Sequence, residues 1–120
     1  MVLIIGGAYQ GKLDYARQQF GIAEEDVHIC GTGELDFSKH CIYKIEEFTF
    51  GHSDPINYFK AHKEQWKDSI LICQDIFCGV VPMGAENRAW RQNTGRLCQY
   101  LAKEADQVIR IFCGLEQRLK

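Results

Sequence analysis

A glycine-rich segment near the start of the sequence has the residue types and spacing of a phosphate-binding loop. Residues 6–12 read Gly-Gly-Ala-Tyr-Gln-Gly-Lys, which fits all but the last position of the pattern GxxxxGK[ST]. Glycines let the chain curl so that successive backbone N–H groups point inward, and the lysine adds a positive charge for the β- and γ-phosphates. We therefore expect a nucleotide to contact Gly6, Gly7, Ala8, Tyr9, Gln10, Gly11, Lys12 and Leu13.

The residue after Lys12 departs from this pattern. Leu13 stands where a serine or threonine would offer its hydroxyl group to Mg²⁺, and a leucine side chain cannot ligate a metal. Either another group or water holds the ion, or the loop binds phosphates without efficient transfer. The alternative interpretation of residues 6–12 is a glycine-rich turn that carries a surface lysine and binds no ligand.

Three further side chains are candidates for phosphoryl-transfer chemistry. Asp75 follows the apolar run 70–73, at the end of a predicted strand where α/β proteins bind ligands. Its carboxylate, or that of Glu46, would hold Mg²⁺, although a solvent-facing residue is an equal interpretation of Asp75. Arg91 shares a helix face with Arg88, and its guanidinium group would offset the charge that develops during transfer. A solvated helix face is the alternative for the arginines.

The order of apolar runs and helical patterns predicts an α/β fold with a mostly parallel sheet. With the loop, it predicts a P-loop NTPase-like three-layer sandwich, and residues 1–120 are expected to form one nucleotide-binding domain. The loop after the second predicted strand carries Gly31 and Thr32, two more candidates for nucleotide contact, and Glu46 is a third. The predicted strands are 1–5, 26–30, 69–73 and 106–113, with 41–48 as a further short strand, and the predicted helices are 13–20, 55–67 and 84–103.

Composition excludes several classes of protein. Fourteen basic and sixteen acidic residues give a net charge of −2, so no basic excess points to nucleic acid or to an anionic membrane. The apolar run 2–5 is far shorter than a membrane span, and no signal peptide is visible. The six cysteines have no CxxC or zinc-finger spacing. We therefore expect buried, reduced thiols in a cytoplasmic protein, with a disulfide framework as the alternative.

The C-terminal half contains a series of short motifs. They are Gly79-Val80-Val81-Pro82, Arg88-x-Trp90-Arg91, Gly95-Arg96-x-x-Gln99-x-Leu101-Ala102, Ala105-Asp106-x-Val108, Gly114-Leu115 and Leu119-Lys120. This series resembles the adenosylcobinamide kinase/adenosylcobinamide-phosphate guanylyltransferase family of cobalamin biosynthesis. The loop at residues 6–12 is similar to that family's first loop.

The resemblance implies a transferase that uses GTP or ATP, with Mg²⁺, on a corrinoid substrate, and it implies a homotrimer. The chain is shorter than the family in its middle, and the family's guanylylated histidine has no clear counterpart. His40 is the nearest candidate, although it lies too close to the segment 44–47. Gln92 and Cys98 replace a family aspartate and asparagine. Phosphoryl transfer is therefore expected rather than nucleotidyl transfer, and a nucleotide-binding or regulatory homologue without catalysis is the alternative.

Overall fold

The computed structural model describes the backbone of residues 1–76 and 85–120 and the side chains of residues 1–76 and 88–120. Cys78 and the motif 79–82 lie outside the described residues. The strands are β1 (Val2–Gly6), β2 (Val27–Ile29), β3 (Cys41–Tyr43), β4 (Ile70–Gln74), β5 (Gln107–Phe112) and β6 (Leu115–Arg118). The helices are α1 (Lys12–Phe20), α2 (Ile45–Phe50), α3 (Pro55–Ala61), α4 (Lys63–Trp66) and α5 (Ala85–Glu104).

The strands form a single mixed sheet in the order β2-β3-β4-β1-β5-β6. The first five of these strands are parallel, and β6 pairs with β5 in the antiparallel sense. In β1, Ile4 is in register with Ile72 of β4 on one side and with Ile109 of β5 on the other. The loop that follows β1 therefore opens at the centre of the carboxyl edge of the sheet, the edge at which parallel α/β sheets bind ligands.

Helices cover both faces of the sheet because the central strands are apolar on both sides. Ile4 and Ile72 pack with Ala16 of α1 on one face. Leu3 and Leu71 pack on the other face with residues of α2, α3 and α5. These layers confirm the predicted α/β, P-loop NTPase-like sandwich with a mostly parallel sheet. Among residues 1–76 and 85–120, no helix is long and apolar enough to cross a membrane.

The segment predicted as a strand over 41–48 divides into a short strand and a helix, so the second half of that prediction is wrong. Strand β3 ends at Tyr43, Lys44 adopts a left-handed conformation with φ 64°, and α2 begins at Ile45. Ile45, Phe48 and Thr49 are buried, and their spacing of three to four residues is that of one helix face. The alternation of apolar and polar residues that predicted a strand thus continues into residues 45–48, which tertiary packing keeps helical.

Two other elements differ from the sequence-based expectation. The helix predicted over 55–67 is interrupted at His62, which separates α3 from α4. Asp54 caps α3, because its carboxylate accepts a hydrogen bond from the backbone N–H of Asn57. Strand β6 was not predicted, and it forms a hairpin with β5 through Cys113 and Gly114, whose φ angles are 52° and 76°. Two successive left-handed residues are typical of a two-residue hairpin turn.

The described cysteines are free, and they differ widely in exposure. Cys30, Cys41 and Cys73 are buried, Cys98 is partly buried and Cys113 is exposed. The expectation of buried thiols is thus confirmed for three of the five and is wrong for Cys113, which lies in the hairpin turn. Burial raises the pKa of the Cys30 and Cys41 thiols to about 12.

We expect Cys113 to react much faster than the buried thiols with a thiol-specific reagent at pH 8, because the reactive thiolate needs both access and deprotonation. In a Cys78→Ser background, the variant Cys113→Ser should lose the fast phase of the native reaction, measured by absorbance, whereas Cys41→Ser should retain it. A fast phase that survives in Cys113→Ser would contradict this assignment.

Because the pKa values of the Cys30 and Cys41 thiols are raised on folding, the contribution of these two groups to the free energy of unfolding is present below about pH 9 and declines as the pH approaches 12.

Candidate functional site

The glycine-rich segment forms the connection from β1 to α1, as the loop pattern predicts. Gly11 precedes the helix with φ 89°, and Tyr9 is also left-handed, with φ 58°. Gly6 has a different reason to be glycine, because a Cβ atom there would lie 2.5 Å from the carbonyl oxygen of Ile111 in β5. At Gly6 the neighbouring strand leaves no space for a side chain, whereas at Gly11 the positive φ angle favours glycine.

Lys12 is the first residue of α1, and its side chain folds back over the loop. Lys12 is 7% exposed, and its Nζ donates a hydrogen bond of 2.6 Å to the carbonyl oxygen of Gly7. Burial lowers the pKa of the ammonium group from its ordinary value, and the charges of Glu46 and Asp75 oppose that shift. The ammonium group thus lies inside the loop, where a phosphate oxygen would replace the carbonyl as its acceptor.

A cavity of about 650 Å³ lies beside the loop, and it brings one distant predicted residue to Lys12. That residue is Glu46 of α2, which the expected nucleotide-contacting set includes. The cavity also contains residues that were not predicted. Its lining residues are Ala8, Tyr9, Gln10, Gly11, Lys12, Leu13, Asp14, Tyr43, Lys44, Glu46, Glu47 and Gln74.

Glu46 connects α2 to the end of β4 and to α5. Glu46 is 5% exposed, and its Oε1 accepts a hydrogen bond of 2.9 Å from the backbone N–H of Gln74. The indole N–H of Trp90 donates to the Glu46 carbonyl oxygen at 2.8 Å. A buried carboxylate held in this way has a defined position, so Glu46 presents a fixed negative charge near Lys12.

We expect Glu46→Ala to lower the free energy of unfolding by about 1–3 kcal/mol, because it leaves the partly buried N–H of Gln74 without an acceptor. Glu46→Gln keeps an acceptor oxygen, so its free energy of unfolding should fall clearly less than that of Glu46→Ala. Urea denaturation of both variants measures the difference. Equal losses in the two variants would show that the negative charge, rather than the hydrogen bond to Gln74, stabilises this region.

Asp75 lies directly beside the loop, and Arg91 lies on the helix that supports Glu46. The backbone N–H of Asp75 donates to the carbonyl oxygen of Gly6 at 2.6 Å, so the aspartate follows β4 at the same edge as the loop. Arg91 is partly buried and is adjacent in sequence to Trp90. Neither residue is among the described residues that line the cavity. Within the described ranges, no group of three or more His, Cys, Asp or Glu residues could hold a metal ion.

The structure separates three predicted site residues from the loop. Gly31 and Thr32 follow β2, which is three strands from β1 in the sheet, or about 14 Å at the usual strand spacing. His40 lies at the opposite edge, because its carbonyl oxygen accepts from the backbone N–H of Ile70 at the amino end of β4. Parallel strands keep their amino and carboxyl ends apart, so the structure does not place His40 with Lys12.

Thr32 instead lies near a second cavity of about 410 Å³. Its carbonyl oxygen bonds to a ring nitrogen of His52, at 3.1 Å, and His52 lines this cavity together with Phe50 and Trp90. Trp90 connects the two cavities, since its indole N–H contacts Glu46 and the hydroxyl of Thr49.

Sequence reasoning missed the residues that follow β3, above all Lys44. An exposed lysine in the left-handed region is unusual for a non-glycine residue, and Lys44 contributes a second cation to the cavity wall. The signal was available in principle. Had β3 been predicted to end at Tyr43, Lys44 would have been placed at the carboxyl edge beside the loop.

Comparison with known proteins supplies the family. Residues 53–119 match the family model described as Cobinamide kinase / cobinamide phosphate guanyltransferase. No curated protein matches the chain. The family match begins after the glycine-rich loop and Glu46, so it is independent of both. Because it spans more than half of the sequence, the chain belongs to the cobinamide kinase / cobinamide phosphate guanyltransferase family and has a role of that type in cobalamin biosynthesis.

Proposed function

We propose that the chain binds GTP or ATP in the cavity beside residues 6–13 and transfers the terminal phosphoryl group to the hydroxyl of a cobinamide-type corrinoid. The observation that carries this proposal is the position of Lys12. Its ammonium group lies within a strand–loop–helix phosphate cradle, in a chain whose other half matches a family of cobinamide kinases. We also propose that residues 1–120 act as one nucleotide-binding domain.

Phosphoryl transfer needs little covalent chemistry from the protein, since positioning and charge stabilisation supply most of the catalysis. The acceptor oxygen forms a bond to the γ-phosphorus while the bond to the β–γ bridging oxygen breaks, so that GDP or ADP leaves and the hydroxyl proton passes to water. Lys12 and the loop N–H groups would hold the phosphates. The guanidinium group of Arg91 would offset the negative charge that develops on the γ-phosphate if binding of the corrinoid acceptor moves this group to the phosphate.

Kinase chemistry fits the described residues better than nucleotidyl transfer through histidine. The described lining of the loop cavity contains no histidine, and His40 lies at the other edge of the sheet. Among the described residues, no histidine lies beside Lys12 on which a covalent nucleotidyl-histidine intermediate could form. For this reason the phosphoryl-transfer half of the family's activity is the one that we propose.

The charges around the cavity favour a nucleotide that carries a divalent cation. Asp14, Glu46 and Glu47 line the wall with Lys12 and Lys44, so negative charges outnumber positive ones where a polyphosphate would bind. Mg²⁺ binds commonly through one or two carboxylates together with substrate phosphates, and Asp75 beside Gly6 suits that role. Bound with the nucleotide, Mg²⁺ would supply positive charge to the phosphate oxygens.

The deciding experiment is calorimetric titration with GTP and with ATP, with and without Mg²⁺, followed by mass spectrometry of cobinamide incubated with the nucleotide that binds. We expect binding that requires Mg²⁺ and a product heavier by one phosphoryl group. A product heavier by a nucleotidyl group would instead assign the other activity of the family. Absence of binding for both nucleotides would refute the proposal.

A second candidate function is a nucleotide-binding regulator without catalysis, and Leu13 is the observation that favours it. Leu13 lines the cavity at the position where a metal-binding hydroxyl would stand. Nucleotide binding that is indifferent to Mg²⁺, without turnover of cobinamide, is the expected signature of this function. The trimer that the family resemblance implies stays a prediction, which sedimentation equilibrium would test.

A further inference from the structure

The turn between β5 and β6 contacts the phosphate-binding loop directly. The backbone N–H of Gly114 donates to the carbonyl oxygen of Gln10 at 3.0 Å. The backbone N–H of Cys113 donates to the side-chain Oε1 of Gln10. A Cβ atom on Gly11 would lie 3.7 Å from the Cα atom of Gly114, so the two backbones also pass close to each other. The turn therefore contacts the loop just before α1 begins.

The side chain of Gln10 connects the loop to this turn through both of its polar atoms. While Oε1 accepts from Cys113, Nε2 donates to the carbonyl oxygen of Ala8 at 3.3 Å. Ala8 and Gln10 flank Tyr9, which is left-handed and fully exposed. A non-glycine residue does not favour that conformation by itself, so contacts from its neighbours must maintain it.

A second contact aligns the helix that follows the loop with the strand that follows the turn. The hydroxyl of Tyr15 on α1 donates to the carboxylate of Glu116 on β6. Removal from water and hydrogen bonding to Glu116 raise the pKa of Tyr15 to about 12, so this donor keeps its proton at neutral pH. The β5–β6 hairpin thus contacts both parts of the phosphate cradle, the loop and the first turns of its helix.

We propose that Gln10 is a positioning residue, which orders the phosphate-binding loop against the β5–β6 turn and so sets the affinity of the loop for polyphosphate. This inference rests on the proposed function for its ligand. Its physical basis is preorganisation, since a loop already held in its binding conformation loses less conformational entropy when phosphates bind. Gln10 acts through the backbone of residues 8–11 and requires no contact with the nucleotide.

The inference is tested with Gln10→Ala, which removes both side-chain hydrogen bonds but keeps the backbone contact with Gly114. We expect its affinity for inorganic tripolyphosphate and for the nucleotide that binds the wild type to fall about fivefold to tenfold by calorimetry. Thermal unfolding should stay near that of the wild type, because the lost bonds lie at an exposed turn. The matched control is Gln18→Ala, since Gln18 is an exposed glutamine on α1.

Hydrogen–deuterium exchange provides a readout that does not need a nucleotide. In Gln10→Ala we expect faster exchange confined to peptides that contain residues 8–12 and 113–114, with unchanged exchange in β1 and β4. Unchanged exchange in those peptides, or wild-type affinity for tripolyphosphate and nucleotide, would overturn the inference. If the wild type binds neither GTP nor ATP, the proposed function fails, and the exchange measurement still decides whether Gln10 orders the loop.

Discussion

Replacing Lys12 with alanine is expected to weaken the binding of GTP or ATP by about 100-fold, or about 2.7 kcal/mol. The ammonium group is the cation that the structure places inside the cradle, with its Nζ 2.6 Å from the Gly7 carbonyl oxygen. Without it, the backbone N–H groups of the loop would hold the phosphates against the negative charges of Glu46 and Glu47. Calorimetric titration measures the effect directly.

The fold is expected to survive the loss of Lys12. Burial lowers the pKa of its ammonium group, so the folded state favours the neutral form more than the unfolded state does. The charged lysine therefore destabilises the fold at neutral pH, and this cost disappears as the pH rises from the lowered pKa towards 10.5. Lys12→Met should be at least as stable as the wild type at pH 7, and the difference should shrink at pH 10, as measured by urea denaturation.

Lys67→Ala is the matched control for the Lys12 variants. Lys67 is exposed and pairs with Glu64 at 2.8 Å on the surface, an interaction of small net energy. It should bind nucleotide like the wild type. If Lys12→Ala and Lys67→Ala both bound nucleotide with wild-type affinity, the loop at residues 6–12 would not be the phosphate site.

Gly6→Ala is expected to lower the free energy of unfolding by about 3 kcal/mol and to abolish nucleotide binding, because the added methyl group would meet backbone. Its Cβ would lie 2.5 Å from the Ile111 carbonyl oxygen, and overpacking of this kind costs about 1–3 kcal/mol where side chains can move. A strand carbonyl that is confined by the sheet can yield little. The displaced backbone would be that of the first loop residue.

Gly7→Ala provides a close control for Gly6→Ala, one residue along the same loop. A Cβ atom on Gly7 would have the Gln10 Cγ as its neighbour at 3.6 Å, an ordinary contact. Thermal or urea unfolding should therefore show a much smaller loss for Gly7→Ala than for Gly6→Ala. Equal losses in the two variants would mean that conformational entropy of glycine, rather than contact with β5, decides the effect.

The central strands and the glycine-rich loop between β1 and α1 were predictable because their signals are local. The apolar run before Gly6, the glycines and the amphipathic pattern after Lys12 determine a strand, a turn and a helix in succession. The same reasoning failed after Tyr43, where the alternation of residues 41–48 fits a strand but burial of one face makes a helix. Strand β6 escaped prediction because its side chains are exposed and carry little apolar pattern.

The position of Asp75 beside the loop was predictable for a related reason. Asp75 follows an apolar run, and the carboxyl ends of parallel strands share one edge of the sheet. Gly31 and Thr32 satisfied the same rule and yet lie away from Lys12, because the rule does not give the order of strands. That order, β2-β3-β4-β1, puts the end of β4 next to the loop and the end of β2 three strands away.

By itself, the sequence determined the type of fold, the phosphate-binding pattern of residues 6–12 and the family motifs of the C-terminal half. Only the tertiary structure decided that Glu46 and Lys44 face the loop, that His40 lies at the other edge, and that Gln10 bonds to the β5–β6 turn. The reason is physical. Short-range spacing governs the conformation of adjacent residues, whereas contacts between residues about 100 positions apart depend on strand order and on the register of the sheet.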